Sequence, residues 1–225
     1  MRPALCLIMF ENKACIFDLD GVIVDTAVYH FKAWKRLANK LNFDFTEEDN
    51  EKLKGISRVR SLKLILEWGR VEKTETEQLE LATLKNNWYV EMINQMKADE
   101  ILPGVREFLI NIKKAGYKTV LGSASKNAII ILNKVGLLDF FDVIVDGNQV
   151  SASKPDPEVF LKGAEALRIE PVNCVVFEDA IAGVGAAKAA GMKVVGIGSA
   201  DVLKSADLVL AGLHEMNLEK LQKLI

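Results

Sequence analysis

The chain has 225 residues, 50% of them hydrophobic and 27% charged, a composition typical of globular proteins and long enough for one large domain or two modest ones with a sizeable core. With 29 Lys and Arg against 31 Asp and Glu, the net charge is −2, which excludes a non-specific nucleic-acid binder and confines any phosphate binding to a local site. The three cysteines, Cys6, Cys15 and Cys174, stand apart from one another and from the two histidines, so neither a zinc centre nor a disulfide framework is expected.

The apolar stretch Ala4 to Phe10 is far too short to span a membrane. No A-x-A-like site follows it, and Glu11-Asn12-Lys13 leads directly into the next strand. A cytoplasmic protein with no membrane partner is expected, with Met9 as a second candidate start.

The first predicted strand, Ala14 to Leu19, runs into Asp18-Leu19-Asp20-Gly21. Residues i and i+2 of a strand face one side, so the two carboxylates converge at the strand's carboxyl edge. Their repulsion is offset by a cation, a shared proton or a bound phosphate. Such a pair suits a nucleophile working beside a general acid/base. An ordinary Asp-Gly turn is the alternative.

Between Val24 and Lys97 no convincing strand occurs, and helical patterns cover Tyr29 to Leu41, Val59 to Trp68 and Glu77 to Met96. Thr46-Glu47-Glu48-Asp49 reads as a capped helix start, with acids set against the helix dipole. The predicted organisation is a core of residues 1–23 and 98–225 with a helical domain, 24–97, inserted through crossings near 22–25 and 97–102.

From Pro103-Gly104 onward, strands and helices alternate. Tyr117 to Leu121, Val143 to Val145, Cys174 to Phe177 and Lys193 to Ile197 are short, apolar and rich in β-branched residues. Between them lie helices at Val105 to Ala115, Ala128 to Val135, Pro157 to Leu167 and Ile181 to Ala190. Gly116, Gly136 and Gly191 mark left-handed caps, and Asp156-Pro157 reads as an N-cap followed by proline at the first helical position. The alternation predicts an α/β fold with a mostly parallel sheet covered on both faces, whose ligands bind beyond the carboxyl ends of its strands.

Three further polar clusters fall at that edge. Gly122-Ser123-Ala124-Ser125-Lys126-Asn127 opens a helix, where N–H groups and hydroxyls either hold a phosphate oxygen or simply cap the helix. Lys154, followed by Pro155 and Pro157, is either aimed into the site by a restricted backbone or is a plain loop lysine. Glu178-Asp179 offers carboxylate oxygens of the kind Mg²⁺ prefers, or an N-cap at Asp179. Four such clusters at equivalent strand ends are more specific together than any one alone.

Asp18-x-Asp20-Gly21, Ser123, Lys154-Pro155 and Glu178-Asp179 together resemble the four-motif signature of the haloacid dehalogenase-like superfamily of phosphotransferases, over essentially the whole chain. The resemblance implies a Rossmann-like core with an inserted α-helical cap. It also implies an aspartyl-phosphate intermediate and a Mg²⁺ cofactor held by Asp18, Glu178, Asp179 and the carbonyl of Asp20. Asp18 would be the nucleophile and Asp20 the general acid/base, with Ser123 and Lys154 facing the phosphoryl group. Dehalogenases of the superfamily lack the second aspartate, so Asp20 argues against dehalogenation.

Asp18 to Thr26, with Val22 where phosphatases often have threonine, continues into Tyr29-His30-Phe31 and Trp34. With Leu53 to Arg58 and Ser123 to Asn127, it looks like the branch that interconverts β-glucose 1-phosphate and glucose 6-phosphate. Ala180, where similar mutases can carry serine, is a departure. That branch works through β-glucose 1,6-bisphosphate, so the expected partners are small sugar phosphates, handled by a monomer. A mutase needs a second phosphate grip, for which Arg58 with Ser125, Lys126 and Asn127 is the candidate, and Ser57, Ser123 and Ala124 are further expected substrate-binding residues. By the same resemblance Lys54-Gly55 would form a sugar-specificity loop and Lys85 would reach inward. Thr26 would restrain Asp20 while the cap is open, and His30, four residues on and on the same helix face, would couple closure to substrate binding. Trp34 reads as core packing. The rival readings are a sugar-phosphate phosphatase on the same scaffold and a non-catalytic sugar-phosphate sensor.

Overall fold

A computed structural model describes residues 12–225. The expectations attached to Ala4 to Phe10, Cys6 and Met9 lie outside the described residues.

Among the described residues, six strands form one sheet in the order β3-β2-β1-β4-β5-β6, and every pairing is parallel. They are β1 (Ala14–Phe17), β2 (Lys118–Gly122), β3 (Val143–Val145), β4 (Cys174–Glu178), β5 (Lys193–Ile197) and β6 (Leu208–Leu210). The first of the described strands is thus central, flanked by β2 and β4, and the strand order reverses at it. Such a switch point opens a crevice at the carboxyl ends. Alternate side chains of β1 enter two separate apolar layers. Cys15 and Phe17 join Phe108, Val175 and Phe177 on one face, and Ile16 joins Val120, Phe160 and Val176 on the other. Phe17 stacks on Phe177 with ring centroids 4.7 Å apart. Burial on both faces explains why these strands read as unbroken apolar runs.

The segment after β1 carries α1 (Ala27–Lys40), α2 (Glu47–Glu51), α3 (Arg58–Trp68) and α4 (Glu75–Ile93). In α1, Ala33, Trp34, Leu37 and Ala38 make one apolar stripe. Trp34, Leu37 and Ala38 pack with Phe45, Leu62 and Ile65 into a third cluster, while Ala33 joins the sheet-side cluster of Phe17 and Phe177. Where the chain enters and leaves this segment its two crossings lie side by side: Leu102 N–H donates to Ile23 O at 3.0 Å, and Val24 bridges Ile101.

The remaining helices are α5 (Val105–Lys114), α6 (Ala128–Val135), α7 (Glu158–Leu167), α8 (Ile181–Ala189) and α9 (Leu218–Gln222). Among the described residues, no helix is long and apolar enough to cross a membrane.

Thr46 forms the capping box expected of it, with Asp49 as the reciprocal partner. A second box, Thr74 with Glu77, starts α4 at Glu75, two residues before the apolar pattern begins. Strand β1 stops at Phe17 instead of Leu19, because the chain turns as soon as Asp18 has paired with Phe177. Pro157 occupies the cap of α7 instead of its first turn, and Asp156 still accepts the Glu158 N–H at 2.9 Å. Gly116, Gly136 and Gly191 have the positive φ values expected of left-handed caps. The short strand β6 and helix α9 were not expected from the sequence pattern.

Candidate active site

At the end of β1, the Asp18 N–H donates to Phe177 O at 3.0 Å, carrying the pairing with β4 one residue further. This fixes a nearly buried carboxylate, 5% exposed, over the sheet edge. The chain then folds back, with Gly21 N–H on Val24 O at 2.8 Å and the Ile23 and Val24 N–H groups on Leu19 O. Gly21 takes a φ of +78°, and a β-carbon there would run into the Asp179 carboxylate. Glycine is needed twice over at this position, for the turn and for the close approach.

The turn separates the two aspartates. Asp18 faces Lys154 and Glu178, whereas the Asp20 carboxylate is held by the hydroxyl of Thr26, which donates to it from the residue before α1. Lys154, on the loop between β3 and α7, lies 2.6 Å from Asp18 Oδ1 and 2.8 Å from Glu178 Oε2. Burial disfavours its charge, but the two carboxylates outweigh burial and raise its pKa.

Asp18, Glu178 and Asp179 each turn a carboxylate oxygen toward one point, with the three atoms within 4.8 Å of one another. The Asp20 carboxylate stands outside this triad. The buried Lys154 ammonium contacts only two of the four carboxylates, and the shortage of positive charge is visible in the acidities of Asp20, Glu178 and Asp179. Burial, joined by the charge of Asp18, pushes Asp179 up to about 7 and raises Asp20. Glu178 is raised by burial against the pull of Lys154. Hard oxygen donors short of positive charge are the donor set a Mg²⁺ ion requires, so the residues present fit that ion.

On α8, Ala180 is the cap residue and no side chain caps the helix, which leaves Asp179 free for the triad. Glu178 Oε1 accepts the Ala180 N–H at 3.2 Å, and the bare Gly183 makes room for it, since a β-carbon there would collide with the Glu178 carboxylate.

The loop after β2 is organised by its own hydroxyls. Ser123 Oγ accepts the Ser125 N–H at 3.1 Å and Ser125 Oγ accepts the Asn127 N–H at 3.3 Å. Asn127 reaches the helical segment, donating to Asn86 Oδ1 of α4 at 2.9 Å.

One cavity of about 480 Å³ brings the sequence-predicted residues together. Asp18, Asp20, Lys154, Asp179, Ala124, Ser125, Lys126 and Asn127 line it from the sheet side, and Thr26, His30, Lys54, Gly55, Ser57, Arg58 and Lys85 from the helical side. Ser123 and Glu178 lie behind the wall, both buried, and act on the cavity through their neighbours. Lys54 pairs with Glu51 at 2.8 Å and stands 3.8 Å from Asp179 Oδ2, so a cation of the helical segment already faces the acidic triad.

Lys85 is buried. Its Nζ lies 2.9 Å from His30 Nδ1, and 4.3 Å and 4.8 Å from the ring centroids of Trp34 and Tyr89. Burial, then the nearby Arg58 charge, pulls the Lys85 pKa well down. Burial followed by Lys85 does the same to His30, so a neutral imidazole nitrogen accepts from the amine. Trp34 packs in the core as expected and also forms cavity wall.

Sequence reasoning missed Asn50, Arg60, Ser61, Lys63, Asn86 and Tyr89, all of which line the cavity. Tyr89 follows Lys85 by four residues on α4, and that spacing alone was enough to find it.

Comparison with known proteins agrees with this geometry. The profile of the family described as haloacid dehalogenase-like hydrolase matches residues 15–197. A β-phosphoglucomutase of Bacillus subtilis is 43% identical over 213 residues, covering 94% of both chains. A phosphorylated carbohydrates phosphatase of Thermotoga maritima is 33% identical over 184 residues, 80% of this chain and 82% of that one. Among solved structures, a β-phosphoglucomutase from Clostridium difficile superposes with a TM-score of 0.91 at 45% identity, covering 94% of this chain and 96% of that one.

Proposed function

The chain belongs to the haloacid dehalogenase-like hydrolase family, and from that membership we propose that it is a β-phosphoglucomutase, interconverting β-D-glucose 1-phosphate and D-glucose 6-phosphate. The observation that carries this reading is a single cavity with two sets of anion-binding groups. Lys154 stands beside Asp18, and Arg58, Ser125, Lys126 and Asn127, which line the same cavity, would form the second set. Removing a phosphate needs one grip; moving it between two ends of a sugar needs two.

The cycle begins with phosphorylated Asp18 and a bound hexose monophosphate. A sugar hydroxyl attacks phosphorus, its proton passes to Asp20, and the phosphorus–oxygen bond to Asp18 breaks, giving β-glucose 1,6-bisphosphate. The bisphosphate turns end for end. The Asp18 carboxylate then attacks the other phosphorus while Asp20 returns its proton to the departing sugar oxygen. Burial and the Asp18 charge hold Asp20 protonated to a higher pH than an ordinary aspartate, as a group that must both take and give a proton requires. Lys154 holds the Asp18 carboxylate in place for attack. Mg²⁺, held by Asp18, Glu178, Asp179 and the Asp20 carbonyl, would offset negative charge on the transferring group. Residues 24–97 act as a cap that closes on the core of 1–23 and 98–225 about the two paired crossings and keeps water from the phosphoaspartate.

The test is incubation with β-glucose 1-phosphate, Mg²⁺ and a trace of the bisphosphate. Glucose 6-phosphate is the expected product. Stoichiometric free phosphate without it would replace the mutase by a sugar-phosphate phosphatase, the activity named for the Thermotoga relative. Asp18→Asn is expected to lower kcat by about 10⁴-fold or more, as loss of a covalent nucleophile does elsewhere.

A further inference from the structure

The hydroxyl of Tyr89 is buried, its residue 1% exposed, and among the described residues it has no hydrogen-bond partner in a cavity wall otherwise rich in polar groups. A buried hydroxyl without a partner is costly to keep, and such groups are rare where they serve nothing. Its neighbours suggest what it serves. Burial keeps the phenol protonated well above its ordinary range, the Asp20 charge adds to that, and the Thr26 hydroxyl faces it.

Thr26 is 0% exposed and has one proton to donate, which it gives to Asp20. On the reading above, Asp20 must leave Thr26 to meet the sugar hydroxyl. A buried Thr26 proton would then have no acceptor, and that penalty would hold Asp20 back. We propose that Tyr89 Oη is the alternative acceptor for the Thr26 hydroxyl, so that release of Asp20 exchanges one buried hydrogen bond for another. Tyr89 is thus a positioning residue that acts through Thr26. Its ring, stacked 4.2 Å from that of His30 and lying under Lys85, is kept by phenylalanine.

The test is a double-mutant cycle on the full chain. Tyr89→Phe is expected to lower kcat roughly tenfold with KM for β-glucose 1-phosphate and thermal midpoint unchanged. In the Thr26→Val background, where there is no proton to accept, the same substitution is expected to change kcat by less than about twofold. In Thr26→Ser, which keeps the donor, the tenfold effect is expected to return. A wild-type kcat for Tyr89→Phe, or a tenfold loss that persists beside Thr26→Val, overturns the exchange. Wild-type turnover that yields only phosphate would sink the mutase reading alone, because hydrolysis uses the same Asp20 and the cycle is then read in phosphate release.

Discussion

Lys85 shows what the site costs the fold. A fully buried amine, short of a carboxylate partner and held with its pKa well below 10.5, opposes folding wherever the unfolded chain would protonate it. The native state binds fewer protons at this group than the unfolded state, so the penalty is absent above about pH 10.5 and deepens as the pH falls. Lys85→Met, which keeps the stem and its contact with Trp34, is expected to stabilise the protein by about 1–3 kcal/mol at neutral pH while lowering kcat/KM. Thermal denaturation across pH reads the first effect, and the gain should grow toward acid. A destabilised variant would mean that the amine is paid for by its partners. The cavity residues at the strand ends, Asp18, Asp20 and Asp179, were legible because each closely follows an apolar run that fixes its direction, and Lys154, on the loop after β3, was legible from the prolines that follow it. Asn86 was not, since its partner Asn127 lies 41 positions away and only tertiary packing joins them.

Among the elements, α8 carries the sharpest conflict between local propensity and site. Gly183 lies inside this helix, where alanine is preferred by about 1 kcal/mol. Yet a β-carbon at 183 would displace the Glu178 carboxylate, which Lys154 and the Ala180 N–H hold in place. Gly183→Ala is expected to remain folded and to lose about tenfold or more in Mg²⁺ affinity by calorimetry, the usual cost of moving a group that orients metal ligands. Unchanged affinity would show that Glu178 is dispensable to the triad. The helices and central strands were legible from periodicity, but their ends were not. Thr74 begins α4 ahead of its apolar pattern, because a capping box is a matter of hydrogen bonds, not of hydrophobicity. Strand β6, three residues long, carries too few alternations to stand out from a loop.

For the whole molecule, a net charge of −2 conceals a polarised surface around the cavity. The acids that line it, Asp18, Asp20 and Asp179, sit with the sheet, while Arg58, Arg60, Lys63 and Lys126 are cationic and Arg60, Lys63 and Lys126 are exposed. Such a mouth concentrates dianionic and bisphosphorylated ligands, and salt screens it. kcat/KM is therefore expected to fall as ionic strength rises. Arg60→Glu with Lys63→Glu should lower kcat/KM by roughly fivefold and flatten its salt dependence while leaving kcat unchanged. Equal salt slopes for the two proteins in stopped-flow binding would exclude steering by these residues. The overall architecture was the most legible level of all, because strand–helix alternation after Pro103 leaves few topologies open. The order of that sheet also governs how the protein comes into being. Strand β1 leaves the ribosome early, yet its neighbours in the sheet begin at Lys118 and Cys174. The helical segment emerges in the interval with an apolar cluster of its own and can condense first, while Asp18 waits on an unpaired strand. Truncated nascent chains ending before β4 can therefore carry a formed helical segment but no assembled sheet edge around Asp18, so the cavity is completed only once β4 has been made.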